Sequence, residues 1–383
     1  MDVKYFVSTF VMFALVSCGG KVEIPGNADP QEVAVDLSLG GVARILSVLP
    51  LEGSHLTEVH DAVSASSGNG FDEEYMMCDL FSNPGAGVGS EGAHVKSSGG
   101  GRALRDLFED YFNAAPQTKS GNGARECIEA LTGSDIQIYW PYSEDWDGET
   151  YPIVTFDPGY GAESNYGYEI RPGGNGMQVV DSVLVDEAVA MTRPVWVINR
   201  NDDSAFTPAQ LISGPALTKA GGKNLLKMKS FNMLRNYDSW FGGASEFLVK
   251  CGAVDGFKAT KDEDLKLYTP TVTDFVINIR RKQLKERVPL DCILLTDFTE
   301  QMENIVFMVI EDDGGVSTSW KAAATVKYNS KSYGFDLDLP YKDRDDIVWR
   351  GQLGRSFFFN EKDEARSSIK GRFGDVEITF GLE

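Results

Sequence analysis

The chain has three histidines, His55, His60 and His94, and two of them fall in His55-Leu56-Thr57-Glu58-Val59-His60. Two imidazoles and a carboxylate this close are the materials of a zinc hydrolase, in which one helix face presents both ligands and the glutamate acts as base. The spacing is HxxExH, one residue out of register for HExxH or HxxEH. Residues five apart on a helix point in different directions, and His60 falls on the apolar face with Leu56 and Val63. The histidines therefore read as packing residues, and zinc hydrolysis is not expected. Gly87-Val88-Gly89-Ser90-Glu91-Gly92 spells GxGxxG, but no strand precedes it and no helix follows, so it reads as a loop and not as a nucleotide site. Gly243-Ala244-Ser245-Glu246-Phe247 lacks the closing glycine of GxSxG and enters a strand, where a nucleophile elbow would enter a helix.

Two constellations carry more. In the stretch from Tyr139 to Tyr151 aromatic rings alternate with carboxylates across an expected hairpin. Flat rings offer apolar faces to sugar rings while carboxylates accept hydroxyl protons, so Trp146 between Asp145 and Asp147, with Tyr142, is the candidate ligand platform. The competing reading makes Trp140 sheet core and Trp146 a loop anchor. Paired carboxylates also serve glycoside hydrolysis, but that geometry is set in three dimensions. The second constellation is the set of acidic doublets Asp202-Asp203, Asp312-Asp313 and Asp345-Asp346, the last preceded by Asp343. Calcium takes six to eight oxygens, and loops at one end of a sandwich can converge carboxylates on it, which makes Asp312, Asp313, Asp343, Asp345 and Asp346 the candidate ligands. Hydrated aspartate-rich turns are the alternative, and no loop matches an EF-hand. Apart from calcium no cofactor is expected.

The elements that must position these residues begin with an address. Lys4, an apolar run from Tyr5 to Val16 and small Ser17 precede Cys18, which is the order of a lipoprotein signal peptide over 1–17. A spanning helix needs roughly 20 apolar residues, and this run is shorter. Cys18 is then the expected lipidation site, and residues 18–30, rich in Gly and Pro, the tether. The chain carries 36 basic and 57 acidic residues, net -21, which disfavours nucleic acid and anionic lipid as partners. Cys78, Cys127, Cys251 and Cys292 match no zinc spacing; they suit either two disulfides, Cys78 with Cys127 and Cys251 with Cys292, or buried thiols.

At 383 residues more than one core is expected. Residues 31–133 read as helical, with Leu39, Val42, Ala43, Leu46 and Leu49 at helical spacing up to Pro50, a second segment that Ser54 can cap, a third through Leu104, Leu107, Phe108 and Tyr111, and a fourth ending at Gly133. Residues 134–216 change to period two and read as a small antiparallel sheet punctuated by prolines. Residues 222–383 read as seven or eight short strands, a sandwich. The expected fold class is α+β multidomain: a helical block, a small antiparallel sheet domain and a C-terminal antiparallel β-sandwich.

The first two strands of that sandwich, joined through Trp240-Phe241-Gly242-Gly243-Ala244-Ser245, resemble the opening of a C2-type sandwich. The order of the blocks, with Gly68-Asn69-Gly70-Phe71-Asp72-Glu73-Glu74-Tyr75, Val195-Trp196-Val197-Ile198-Asn199 and Gly371-Arg372-Phe373-Gly374-Asp375-Val376, resembles cell-envelope lipoproteins of Bacteroidetes. The resemblance implies a lipid-anchored protein of the outer membrane, and it brings no activity with it. The expected function is a non-catalytic module binding glycan or another envelope protein; the alternative is an envelope hydrolase using paired carboxylates on polysaccharide or peptide.

Overall fold

The computed structural model describes residues 35–82, 102–114, 123–172, 178–201, 208–209, 224–362 and 364–383; residues 1–17, Cys18, the tether, the 87–92 motif, His94 and the Asp202-Asp203 doublet lie outside them. Leu39–Val48 (α1) starts on Ser38, whose hydroxyl accepts from the Gly41 amide at 3.2 Å, and stops before Pro50. Gly53–Gly68 (α2) starts earlier than a Ser54 cap would place it. His55 ties off that turn instead, its Nδ1 accepting from the Glu52 amide at 2.9 Å. Glu74–Met76 (β1) and Met77–Phe81 (α3) come next, neither announced by apolar spacing, then Leu104–Ala114 (α4) and Ala124–Thr132 (α5), which Gly133 closes.

Ile136–Tyr139 (β2), Ile153–Phe156 (β3), Ser164–Pro172 (β4), Gln178–Asp186 (β5), the short helix Glu187–Ala190 (α6) and Val195–Arg200 (β6) follow. With β1 the strands make one six-stranded sheet in the order β1-β2-β6-β3-β4-β5. The expected antiparallel pattern fails at one pair, since β3 and β6 run parallel with Val154 opposite Trp196. The β4–β5 hairpin and α6 supply the long crossover that a parallel pair needs. Ile136, Ile138, Val154, Trp196 and Ile198 on one sheet face are buried with Val42, Leu46, Leu56, Val59 and Phe108 of the helices. The stretch up to residue 133 and the strands after it thus share one core, where the sequence suggests two blocks. Tyr139, Ile153, Val195 and Val197 on the other face are covered by Trp240 and Phe241. A sheet buried on both faces explains why Val195-Trp196-Val197-Ile198 is apolar throughout and does not alternate.

Leu226–Met233 (β7), Ser245–Ala253 (β8), Thr271–Ile279 (β9), Val288–Leu295 (β10), Met302–Glu311 (β11), Ser317–Tyr328 (β12), Lys331–Lys342 (β13), Asp346–Gly354 (β14), the single-turn helix Arg355–Phe358 (α7), Ile369–Phe373 (β15) and Val376–Leu382 (β16) complete the chain. One sheet orders β10-β7-β16-β15; the other orders β13-β12-β11-β8-β9, with β14 also on β11. Every pairing in them is antiparallel. Phe231, Val249, Phe307, Val309, Ile378 and Phe380 belong to one buried cluster drawn from both sheets. The protein is a multidomain α+β structure with sheet domains, as its sequence pattern suggests. β7 and β8 lie in different sheets, so the 234–244 connection crosses between them and lays Trp240 and Phe241 on the N-terminal sheet on its way. None of Cys78, Cys127, Cys251 and Cys292 is in a disulfide, so neither of the two pairings forms. No helix among the described residues is long and apolar enough to cross a membrane.

Candidate functional site

The expected hairpin does not form, because β6 lies between β2 and β3; the aromatic segment is instead the loop that joins them, and it begins where β2 ends. Tyr142 takes a left-handed backbone conformation, φ +60°, a strained position for a bulky residue. Its hydroxyl donates to Glu187 Oε1 at 2.9 Å, and the Ser143 hydroxyl donates to Glu73 Oε1 at 2.9 Å, which together hold the turn. The Trp146 ring stands 5.1 Å from His60 and 5.2 Å from Trp140, and its Nε1 donates to the Thr150 carbonyl at 2.9 Å. Asp147 accepts from the Thr150 hydroxyl at 2.5 Å and from the Thr150 and Glu149 amides at 2.7 and 2.9 Å. Those bonds, the Thr150 hydroxyl foremost, hold its carboxyl down at about 2. Asp145 receives the Lys282 ammonium on both oxygens, at 2.7 and 2.8 Å.

All four residues of the expected platform, Tyr142, Asp145, Trp146 and Asp147, line one groove with Met191 and Arg193, a space of about 140 Å³. That is less than the roughly 300–1,000 Å³ of sites for drug-sized ligands, so the groove suits a single ring or a chain end. Met191 is 56% exposed at its rim, and the Arg193 guanidinium is held by Glu169 at 2.8 Å. Trp140 is buried core, as the competing reading has it, while half-buried Trp146 keeps part of its ring toward the groove.

The three residues of the histidine motif go to separate structural tasks. His55 closes the start of α2, and His60 packs against Trp140 and Trp146. Glu58 accepts from the Leu104 amide at 2.9 Å and from the Tyr75 hydroxyl at 3.4 Å, with burial raising its carboxyl.

The acidic turns do converge at one end of the sandwich, but on a different trio from the one their doublets suggest. Ligand atoms of Asp238, Glu311 and Asp313 lie within 4.8 Å of one another. Glu311 is the last residue of β11, opposite Asp346 of β14 and Phe247 of β8, and is 0% exposed. Burial, then the neighbouring carboxyl of Asp238, then the charges of Asp238, Asp313 and Asp346 push its carboxyl far above the ordinary range. Burial and the same acidic neighbours lift Asp313 to about 6, and burial lifts Asp238. Of the other expected ligands, Asp312 is gripped by Lys342 at 2.8 and 3.0 Å, Asp343 accepts the Val316 amide at 2.8 Å, Asp345 accepts the Lys342 amide at 2.7 Å, and Asp346 lies 3.9 Å from Arg235. Gly315 permits this packing: it sits at φ +110°, and a Cβ there would lie 2.2 Å from Asp343 Oδ1. Asp238 and Glu311 were not among the expected ligands. Glu311 has a sequence signal, a carboxylate continuing the apolar run Ile305–Ile310, and Asp238 has none.

A third polar group lies where the two cores meet. Asp72 Oδ2 accepts the Ala244 amide at 3.0 Å, and Arg280 stands 3.7 Å from Glu73 and 3.6 Å from Glu144. Burial, with the carboxyls of Glu144 and Asp72, raises Glu73. Glu144 is lowered despite partial burial, by Glu73 and by the charges of Arg280 and Lys282. Two carboxyls driven apart in this way are what acid–base chemistry needs, yet Glu73 is buried and the groove residues do not include it. Comparison with protein-family models, curated proteins and solved structures gave no match.

Proposed function

We propose that this chain is a lipid-anchored envelope protein that binds a glycan end, or a side chain of another envelope protein, in the groove beneath Trp146, without catalysis. One observation carries the reading: the four residues picked for ligand chemistry, Tyr142, Asp145, Trp146 and Asp147, line a single groove. A partly open indole beside carboxylates and a guanidinium is suited to a hydroxyl-rich ring, stacking on its face and accepting and donating at its edge. The carboxyls displaced furthest upward, Glu311 and Glu73, are buried, so a polymer substrate does not reach them without a rearrangement, which supports binding over hydrolysis. Lipid on Cys18, the outer membrane and the C2-like topology are part of the same proposal and rest on the sequence order alone. A glycan-array screen of the full chain beside Trp146→Ala tests the binding reading, and acyl labelling of Cys18→Ser tests the address.

A further inference from the structure

We propose that Asp238, Glu311 and Asp313 form a site for a divalent cation of the calcium class, and that the ion fixes the 234–244 connection against the end of the sandwich. The three carboxylates come from separate segments: the β7–β8 connection, the end of β11 and the β11–β12 turn. Their ligand atoms lie within 4.8 Å of one another. Oxygens bound to calcium at about 2.3–2.6 Å can stand up to roughly 5 Å apart, so this spread fits one calcium shell without closure, whereas magnesium at about 2.0–2.1 Å draws its ligands tighter.

A second observation points to a ligand. Glu311 is 0% exposed, and both of its carboxylate oxygens, with Asp238 Oδ2, have no hydrogen-bond donor. A buried carboxylate without a donor is costly unless it is neutralised or coordinates a metal. Three neighbouring cationic side chains are committed elsewhere. Lys342 holds Asp312, Arg281 reaches Glu187 and the Asp238 carbonyl, and Arg235 holds Asp375 and covers the Tyr237 ring. The donors are all hard oxygens, which selects calcium over zinc or copper, and exposed Asp313 leaves room for water to complete the shell.

Asp238 lies just before Trp240 and Phe241, which cover the N-terminal sheet. A bound ion therefore anchors the segment that joins the two cores. The test is thermal unfolding of the chelator-treated full chain, titrated separately with calcium and with magnesium, for the wild type, Glu311→Gln and Asp313→Asn. Gln keeps the shape of a protonated Glu311, and Asp313→Asn alters an exposed residue, so the two variants fail to fold for different reasons if they fail at all. The wild type is expected to gain melting temperature with calcium and less with magnesium, and each variant that folds is expected to need roughly tenfold or more calcium for the same shift. No calcium-dependent shift in the wild type, a wild-type response in both variants, or an equal response to magnesium would overturn the proposal.

Discussion

Lys282, which follows β9 of the sandwich, holds both carboxylate oxygens of Asp145 on the β2–β3 loop of the N-terminal unit, at 2.7 and 2.8 Å. The pair spans the boundary between the two cores, and its Asp145 lines the groove. Its side chains are 43% and 60% exposed, so it positions more than it stabilises. A double-mutant cycle of Asp145→Ala and Lys282→Ala in urea is expected to return a coupling of about 0.2–1 kcal/mol, weakening with salt. A coupling several times larger would show that the joint depends on this contact.

The joint itself should depend on Trp240. Its ring is fully buried 3.9 Å from that of Phe241, and its Nε1 donates to the Glu163 carbonyl at 3.0 Å. Asn199 adds bonds from its side-chain amide to the carbonyls of Phe241 and Gly242 at 3.0 and 2.8 Å. Trp240→Ala is expected to cost about 3–5 kcal/mol and to split denaturant unfolding into two transitions, followed by intrinsic fluorescence and circular dichroism. A single transition with an unchanged midpoint would contradict that role.

Glu311 sets a pH dependence whose sign is fixed by its direction of shift. A carboxyl raised above its ordinary 4.5 binds its proton more tightly folded than unfolded. The stability it contributes is complete below 4.5 and is lost as pH rises from there toward the folded value. Asp313 adds a smaller effect of the same sign between 3.8 and about 6. In chelator, Glu311→Gln is expected to exceed the wild type in stability by about 1–4 kcal/mol near neutral pH, with the gap narrowing toward about pH 5. Melting temperatures across that range check it, and a gap that widens on acidification would reverse the sign.

The thiols give a count. Cys127, Cys251 and Cys292 are buried and Cys78 is half-buried, with burial also raising the Cys78 thiol. A thiol reagent is expected to label Cys78 first and slowly in the native chain, and all four on unfolding. If Cys18 carries lipid as proposed, no fifth thiol is expected, and Cys18→Ser is expected to lose acyl label and to move to the soluble fraction. An unlabelled wild type found in the soluble fraction would contradict the anchor.

Elements with one exposed face were legible in the sequence. Leu39 to Leu49 spelled out α1 because a helix against a sheet needs a single apolar stripe. Gly133 marked the end of α5. The shared core of helices and sheet was not legible, because Val195-Trp196-Val197-Ile198 is apolar on two faces and does not say what covers each. β14 was missed since its Asp346 to Gly354 buries only Leu353 fully and carries no alternating apolar set. The groove was legible as a local cluster, since Tyr142 to Asp147 are contiguous, but Met191 and Arg193 are brought to it by the β3–β6 crossover. Asp238 joins Glu311 only through the passage of 234–244 between sheets, which no local spacing encodes.

Binding of the purified full chain to an array of glycans, followed by titration of any hit against the wild type, Trp146→Ala and Lys282→Ala, tests the groove most directly. Selective binding is expected that falls roughly tenfold or more, about 1.4 kcal/mol, in Trp146→Ala and far less in Lys282→Ala. Binding that survives Trp146→Ala unchanged would place the ligand elsewhere on the molecule. No binding to any glycan, with cross-links to envelope proteins also absent around Trp146, would contradict the groove as the functional site.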